Sequence, residues 1–423
     1  MTADRDKTLG IYVSIPFCRS KCTYCNFASG VYPASEHVRY VERVIGELRA
    51  AGKWAVKRGV ELPRRVDTVY LGGGTPSLLA PDLLAQLFGV MRSEFDFDSD
   101  AEITVECAPG QIADETVGAM VSAGVNRVSL GVQSFIDSEA HASGRLHDRA
   151  TVADDLRRLR GAGIASLNVD VIAGLAGQTM STWQESLEML VGCGVPHASV
   201  YMLEVDEDSR LGREMLAGGA RYHAGLVPSD ETIVRMYAMA IERLGQAGLA
   251  QYEISNFCRP GFGSRHNLRY WQRRPYLGVG LDASSMLHAA ADEADLAHAR
   301  YVLRWTTTDD LAGYLSGSAE PEIAWLSPAS QHEEAWFLGL RLNAGVEVAA
   351  LEREFGRPMV APALRVAPRL VEAGLLTFDL DRIRLTAQGQ LLSNEVFQEF
   401  LGLTPEADSG GMAQNWRAFS LEA

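Results

Sequence analysis

The sequence lacks both the long apolar runs of a membrane-spanning protein and the basic excess of a nucleic-acid-binding one. No stretch approaches about 18 consecutive apolar residues, and the opening residues, MTADRDKTLG, contain no apolar segment like that of a signal peptide. Lys and Arg number 39 against 54 Asp and Glu, so the net charge is -15. Nucleic-acid-binding surfaces usually have the opposite balance. We therefore expect a cytoplasmic protein that does not bind nucleic acid and has no transmembrane segment; peripheral membrane association stays open.

Cysteine is sparse, and half of it lies in one short stretch. Three of the six cysteines are Cys18, Cys22 and Cys25, in IPFCRSKCTYCNF. So few cysteines in so long a chain do not resemble the disulfide framework of a secreted protein. A reducing compartment and a metal site fit better. The absence of a fourth cysteine nearby is the informative feature of this stretch.

Apolar runs alternate with amphipathic stretches over the first half of the chain. Six runs are predicted strands, at 11–17, 66–73, 102–107, 127–134, 166–175 and 197–203. Five amphipathic segments between them are predicted helices, at 38–49, 81–92, 114–123, 150–162 and 182–191. Continuous apolar strands alternating with helices predict an α/β fold with a parallel, helix-covered sheet. Six units favour a partial (β/α)6 barrel over a closed eight-stranded one.

The pattern changes near residue 300. Helical stretches with a short strand pair at 377–385 predict a smaller, mostly helical, winged-helix-like domain. We therefore expect a barrel domain over 1–300, a C-terminal domain over 301–404 and a disordered tail over 405–423.

The spacing of the three cysteines, C-x3-C-x2-C, suits an iron–sulfur cluster. They follow the first predicted strand, where barrel enzymes place their active-site loops. Thiolates hold cubane clusters, and three ligands for four irons leave one iron open to a small molecule. Two alternatives remain: a zinc site completed by His37 or a distant residue, or three merely buried thiols.

A glycine-rich turn, LGGGTPS at 71–77, follows the second predicted strand. Without Cβ atoms, its backbone N–H groups can approach a charged ligand closely. The turn is too short for a Walker loop and lacks the lysine of that motif. One β/α unit after the cysteine loop, it could supply main-chain groups for an amino-acid moiety bound to the open iron.

These two motifs together resemble the radical S-adenosylmethionine (SAM) superfamily. Cys18, Cys22 and Cys25 match its cluster motif, and Gly72 to Pro76 matches its GGTP motif. The resemblance implies a 4Fe–4S cluster whose open iron is chelated by the amino and carboxylate groups of SAM. It also implies that an electron from the reduced cluster cleaves SAM to methionine and a 5′-deoxyadenosyl radical.

Further segments resemble one branch of this superfamily, the HemN/HemW group of oxygen-independent coproporphyrinogen III dehydrogenases and HemW-type haem chaperones. They include YVSIPFC at 12–18, GVNRVSLGVQSF at 124–135, NVDVIAGLAGQT at 168–179, YEISNF at 252–257 and LTAQGQLLSNEVF at 385–397. The resemblance implies SAM contacts from nine residues. They are Tyr12, Tyr24, Gly73, Gly74, Thr75, Glu106, Gln133, Arg145 and Asp170.

Two features favour the HemW side of the group. HemN-type dehydrogenases carry a further cysteine where this chain has Phe27, and a longer extension before the first strand. The segment RHNLRYW, at 265–271, contains the HNxxYW motif typical of the HemW side, which implies that His266 is a haem ligand. Four arginines beside it could pair with haem propionates. They are Arg265, Arg269, Arg273 and Arg274.

The resemblance therefore implies a haem chaperone that binds a cluster and SAM, receives an electron from a donor, and transfers haem to respiratory or other haem proteins. Two enzymatic alternatives stay open: oxidative decarboxylation of coproporphyrinogen III to protoporphyrinogen IX, and radical methylation. Ser14, Ala108 and Ala176 replace the His, Asn and Pro that the group usually has, so catalytic competence is open. No catalytic residue, oligomeric state or number of SAM molecules follows from the sequence.

Overall fold

Six parallel strands, adjacent in chain order, form the centre of the sheet. They are β1 (Thr8–Ile15), β2 (Arg65–Gly73), β3 (Asp96–Cys107), β4 (Arg127–Gln133), β5 (Ser166–Ala173) and β6 (His197–Met202). The computed structural model in which they are seen describes residues 7–290 and 300–403. Each strand overlaps one of the six predicted runs, although β3 begins at Asp96, well before the predicted run at 102–107. Because parallel strands bring their carboxyl ends to one edge, the loops that follow them meet there.

Six helices connect these strands and cover the sheet. They are α1 (Ala34–Arg58), α2 (Pro81–Glu94), α3 (Asp114–Ser122), α4 (Asp137–Ala142), α5 (Arg149–Gly161) and α6 (Met180–Gly192). Helix α1 buries Tyr40, Val44 and Leu48, which recur every fourth residue on one face. The five predicted helices correspond to all of these but α4, which is too short to show periodicity. The predicted α/β fold with a partial (β/α)6 barrel is confirmed.

Additional short strands extend the sheet at both edges. They are β7 (Ala250–Glu253), β8 (Asn256–Cys258), β9 (Tyr276–Val279), β10 (Ser284–His288), β11 (Val302–Thr306) and β12 (Glu322–Leu326). The sheet order is β12-β11-β10-β9-β1-β2-β3-β4-β5-β6-β8-β7, with β9 parallel to β1 and β8 antiparallel to β6. The helices among them are α7 (Arg210–Leu216), α8 (Asp230–Gln246), α9 (Arg265–Trp271) and α10 (Leu311–Ser316). The sequence did not predict these strands, because three to five residues are too few to show a clear alternation.

The chain divides into two compact units. The first comprises residues 7–266, 275–290 and 303–324, and the second comprises 267–274, 300–302 and 325–403 of the described chain. Residues 303–324 thus group with the barrel, whereas the sequence predicts a single boundary at residue 300; that boundary stays a prediction.

The second unit is mostly helical. Its helices are α11 (Pro328–Arg341), α12 (Val348–Phe355), α13 (Arg357–Glu372), α14 (Ala387–Leu391) and α15 (Ser393–Gln398), and its strands are β13 (Val346–Glu347), β14 (Leu376–Asp379) and β15 (Arg382–Leu385). Strands β14 and β15 pair antiparallel at the predicted strand pair. Trp336 is fully buried and stacks on Phe400, with ring centroids 4.9 Å apart. The predicted tail, 405–423, lies outside the described residues.

No helix within residues 7–290 and 300–403 is long and apolar enough to cross a bilayer.

Candidate functional site

The loop between β1 and α1 carries Cys18, Cys22 and Cys25 at the carboxyl edge of the sheet. Backbone hydrogen bonds close its base: Cys18 N donates to Gly30 O at 2.8 Å, and Gly30 N donates to Pro16 O at 2.8 Å. Cys25 N donates to Cys22 O at 3.4 Å. All three thiols are free of disulfides. The loop therefore carries all three cysteines without a disulfide between them.

Burial and neighbouring hydroxyl groups set the acidity of these thiols. Burial raises the pKa of Cys18 and of Cys25, while the hydroxyl of Ser29 lowers the pKa of both by a smaller amount. The Ser29 hydroxyl lies 3.8 Å from Cys25 Sγ, and Thr75 Oγ1 lies 3.9 Å from Cys18 Sγ. Without a metal, the raised pKa keeps these two thiols protonated near neutral pH. Metal binding at these positions would release protons.

The far side of the cysteine loop is tethered to two other segments. Thr23 N donates to Ser143 O, at the end of α4, at 3.0 Å, and Leu211 N of α7 donates to Thr23 O at 2.8 Å. Gly144 passes so close that a Cβ there would lie 3.2 Å from Cys22 Cα. The loop after β4 and helix α7 after β6 therefore fix the position of the cysteines across the edge of the barrel.

The predicted glycine turn lies directly against the start of the cysteine loop. Gly74 N donates to Ile15 O, and Thr75 N donates to Phe17 O, both at 2.8 Å. A Cβ on Gly74 would stand 2.8 Å from Phe17 O, so the close approach requires glycine. Gly73 has a φ of +100°, a conformation that glycine adopts readily. The sequence predicted these two motifs to be neighbours, and their backbones are hydrogen-bonded.

Glu106, near the end of β3, supports the same turn. Its carboxylate accepts hydrogen bonds from Tyr70 Oη at 2.7 Å and from Gly73 N at 3.1 Å. Burial is the main cause that raises the pKa of Glu106 to about 7, with a smaller contribution from the charge of Asp170. This carboxyl group can therefore change charge near neutral pH.

Asp170 ends a chain of polar side chains inside the barrel. Ser129 Oγ and Asn168 Nδ2 donate to its two carboxylate oxygens at 2.9 and 2.6 Å. Asn168 also donates to Ser199 Oγ at 3.0 Å, and its Oδ1 lies 2.7 Å from His197 Nδ1. Burial raises the pKa of Asp170, and the hydrogen bonds oppose this effect. The network fixes the carboxylate in one orientation.

Gln133 and Arg145 converge on Gly131 of β4. A Cβ on Gly131 would lie 2.6 Å from Arg145 Nη2 and 3.2 Å from Gln133 Nε2, so the missing side chain makes room for both. Gln133 has a φ of +71°, which is rare for a residue other than glycine. Its Oε1 and Arg145 Nε are buried without a hydrogen-bond partner in the described part of the chain. Buried polar atoms of this kind indicate a site for a polar ligand.

Tyr24 and Tyr12 lie in different parts of the barrel. Tyr24, inside the cysteine loop, packs against a buried cluster that includes Ile172 and Leu175. Tyr12 lies deeper, with its ring 6.1 Å from that of Tyr70 and 6.4 Å from that of His266. Tyr24 therefore belongs to the edge that holds the cysteines, while Tyr12 belongs to the interior beneath it.

These residues fit the cluster and SAM that the resemblance implies. Three free thiols offer soft ligands, and Gln133 Oε1 and Arg145 Nε are buried without a hydrogen-bond partner among the described residues. Within the described residues, no group of three or more His, Cys, Asp or Glu side chains is arranged to hold a metal ion as a common centre. A cubane differs in this respect, because each thiolate binds a separate iron. His37, the alternative zinc ligand, stacks on Phe17 with ring centroids 3.8 Å apart.

His266 lies in the interior of the protein, at the start of α9. None of its surface is exposed, and its Nδ1 lies 3.0 Å from Thr68 Oγ1. Its backbone N donates to the Glu102 carboxylate at 3.0 Å. Burial lowers the pKa of the ring to about 3. The ring is neutral, as an iron ligand must be, but haem cannot reach it in this conformation.

The arginines near His266 already have protein contacts. Arg265 Nη1 lies 3.5 Å from the Asp100 carboxylate, and Arg273 Nη2 forms an ion pair with Glu354 at 2.9 Å. Arg269 is fully buried, and burial lowers its pKa to about 9. Pairing of these arginines with haem propionates stays a prediction.

Sequence reasoning missed the residues that orient the acidic groups. Tyr70 holds Glu106, while Ser129 and Asn168 hold Asp170. The spacing along each strand gave a partial signal. Side chains two positions apart lie on the same face of a strand, so each of these polar residues shares a face with a predicted site residue or with the next residue on that face. Alternation alone could not separate them from ordinary polar residues.

Two family models match the chain. Residues 12–190 match the Radical SAM superfamily, and residues 326–392 match the HemN C-terminal domain. The structure is similar to coproporphyrinogen III oxidase (HemN) from Escherichia coli, with a TM-score of 0.78 at 21% identity over 95% of this chain and 91% of the other. That likeness concerns the fold. The barrel and its three-cysteine loop define a radical SAM protein.

Two relatives identify the family within this class of protein. The heme chaperone HemW of Lactococcus lactis is 33% identical, covering 92% of this chain and 96% of its own length. The heme chaperone HemW of Bacillus subtilis is 31% identical, covering 92% of this chain and 98% of its own. The chain belongs to the HemW family of radical SAM proteins.

Proposed function

We propose that this protein is a haem chaperone that binds a 4Fe–4S cluster and SAM, binds haem, and transfers it to haem-accepting proteins such as respiratory enzymes. One observation carries the proposal: the chain is 33% identical to a heme chaperone over 96% of that protein's length. Phe27 supports it, because a cysteine at this position would favour a HemN-type dehydrogenase.

In this proposal Cys18, Cys22 and Cys25 hold the cluster. Hydroxyl groups lie near two of these thiols, Ser29 Oγ near Cys25 and Thr75 Oγ1 near Cys18. Hydrogen bonds to cluster sulfurs and thiolates tune the reduction potential, so Ser29 and Thr75 are placed to influence it. When bound and reduced, the cluster supplies the electron that cleaves SAM, and this electron comes from a donor of unassigned identity.

The remaining site residues would bind SAM. The N–H groups of Gly73, Gly74 and Thr75 are already hydrogen-bonded within the protein, so the turn would offer carbonyl oxygens to the ammonium group of SAM rather than the N–H groups expected from the sequence. Arg145 can pair with the SAM carboxylate. Glu106 and Asp170 place carboxylates where ribose hydroxyls or the sulfonium charge would lie. Gln133 would add a polar contact, and Tyr24 would pack on the adenine. Tyr12, whose ring stacks on that of Tyr70, would complete the SAM contacts.

Haem ligation by His266 stays a prediction, and it requires the buried ring to become accessible. The ring is fully buried, so haem iron reaches it only after the residues that cover it move away.

Anaerobic reconstitution followed by two parallel assays tests the function. The protein is mixed with haemin and then with apomyoglobin as an acceptor, and the transfer is followed by visible absorption. A second sample receives coproporphyrinogen III, SAM and a chemical reductant, and its product is weighed by mass spectrometry. Stoichiometric haem uptake and transfer without decarboxylation are expected. Loss of two carbon dioxide molecules from each substrate, without haem transfer, would establish the dehydrogenase instead.

A further inference from the structure

The histidines of this chain differ widely in their access to a large ligand such as haem. Nine are present, of which His298 lies outside the described residues. Among the eight that the structure describes, His141 and His223 alone are exposed. An axial ligand must bring an imidazole nitrogen to within bonding distance of the iron, at the centre of a wide macrocycle. In the observed conformation, access therefore favours these two histidines over His266.

His223 is held in an unusual backbone conformation. Tyr222 and His223 have φ angles of 57°, so two consecutive residues other than glycine adopt the left-handed region within the 3-10 segment Arg221–Leu226. Such strain costs on the order of 1–3 kcal/mol for each residue and persists only when the surroundings enforce it. Residues held in this way are frequent at ligand sites.

Three contacts enforce this conformation. Tyr222 packs against the buried cluster of Ile172 and its neighbours, the same cluster against which Tyr24 packs. Arg221 N donates to the Glu214 carboxylate at 3.0 Å. Gly177 N donates to Leu226 O at 2.8 Å at the other end of the segment. With Tyr222 turned inward and both ends fixed, the neighbouring His223 is presented to solvent.

Apolar side chains are exposed on the same two packed elements. Helix α7 packs against the 3-10 segment. Leu216 at the end of α7 is 69% exposed, Leu226 is 59% exposed, and Met215 is 40% exposed. Single exposed apolar residues are ordinary. Three of them on the two packed elements that include His223 offer the combination that an amphipathic macrocycle needs, an apolar surface and an iron ligand.

The same surface carries positive charge and lies next to the cysteine loop. Arg213 and Arg221 are exposed on the same two elements, and guanidinium groups bind carboxylates well. The surface adjoins the cysteine loop, because Leu211 N of α7 donates to Thr23 O and Tyr24 shares a hydrophobic cluster with Tyr222. A ligand seated here would lie at the carboxyl edge of the barrel, beside the proposed cluster.

We propose that His223 is the axial ligand that receives haem in this conformation, with the porphyrin seated on Met215, Leu216 and Leu226 and a propionate paired with Arg221. The proposal rests on the haem-chaperone function and names the residues that bind the cargo. An imidazole nitrogen of His223 would donate its lone pair to the iron in place of a water ligand. Ligation by His266 would then belong to a different conformation, reached after the buried ring is uncovered.

Haemin titration of the full-length protein tests this assignment. His223→Asn removes the imidazole, while asparagine tolerates the positive φ. His141→Asn is the matched control at the other exposed histidine. We expect His223→Asn to weaken haemin binding at least tenfold and to change the Soret band, with the band restored by added imidazole. His141→Asn should bind as wild type does, and Leu226→Asp should weaken binding while leaving the far-ultraviolet circular dichroism unchanged.

The outcomes separate this proposal from the function on which it rests. If wild-type protein takes up no haem, the haem-chaperone function fails. If wild-type protein binds haem and His223→Asn binds it with the same affinity and spectrum, the function stands and the assignment of His223 is overturned. A spectrum lost in His266→Gln alone would place the ligand in the interior and would also overturn it.

Discussion

The carboxylate of Glu106 holds the backbone of Gly73 by a hydrogen bond of 3.1 Å. This contact links the end of β3 to the glycine turn. The backbone of the turn is also hydrogen-bonded to the end of β1, which leads into the cysteine loop. The acidic group and the two motifs therefore form one connected edge of the barrel.

Glu106 should make stability depend on pH. Its pKa is raised by burial from the ordinary 4.5 to about 7, so the folded protein retains a proton that the unfolded chain releases between these values. Its contribution to stability is present below about pH 4.5 and is lost as the pH rises through about 7. In Glu106→Gln, the free energy of unfolding should fall less steeply over this range, by at most about 1.4 kcal/mol per pH unit. Urea denaturation at several pH values measures both slopes, and equal slopes would refute the shifted pKa.

Gly74 should tolerate no side chain. A Cβ would stand 2.8 and 2.9 Å from the carbonyl oxygens of Phe17 and Ile15, which are backbone atoms that cannot easily shift. Gly74→Ala should cost about 1–3 kcal/mol in unfolding free energy and reduce the iron content after reconstitution. Gly89→Ala is the control. Gly89 lies at an exposed position in the middle of α2, and no atom would lie within 4 Å of a Cβ there. That variant should gain about 0.5–1 kcal/mol, and equal losses in both variants would argue against the close approach.

Replacing one of the three loop cysteines should reduce the metal content of the protein, whereas replacing Cys193 should not. Cys25→Ser should lose most of the iron and acid-labile sulfide bound by anaerobically reconstituted wild-type protein, since two thiolates hold a cubane weakly. Cys193, at the end of α6, is the control, and Cys193→Ser should retain both. Iron and sulfide analysis of the purified variants decides the matter. Retention of the full amounts in Cys25→Ser would contradict the ligand assignment.

Trp336 should dominate the stability of the second unit. Its ring is fully buried against Phe400, and its Nε1 donates to His332 Nε2 at 3.0 Å. Trp336→Ala should cost about 3–5 kcal/mol, whereas Phe378→Ala, at an exposed position of β14, should cost less than about 1 kcal/mol. Urea denaturation followed by circular dichroism measures the difference. Similar small losses in both variants would show that the stack contributes little.

The barrel and its two cofactor motifs were predictable because each has a strong local signal. Continuous apolar strands identified β1 to β6, and the spacing of Cys18, Cys22 and Cys25 identified the loop. The edge strands β7 to β12 were not predictable, because such short segments pair according to tertiary context.

The environment of individual side chains could not be predicted from the sequence either. His266 carries the motif that suggested a haem ligand, yet its exposure depends on how the strands and α9 pack around it. Neither the backbone conformation of His223 nor the apolar residues exposed on the elements around it can be read from sequence spacing. Only the folded chain reveals which imidazole is accessible.

The most direct test of the proposed cofactor chemistry is the electron paramagnetic resonance spectrum of the anaerobically reconstituted and chemically reduced protein, recorded with and without SAM. Three cysteine ligands and one open iron predict the signal of a reduced 4Fe–4S cluster, and SAM should change its g values by binding that iron. A protein that contains zinc and no acid-labile sulfide, or a cluster whose signal is identical in the presence of SAM, would contradict the account.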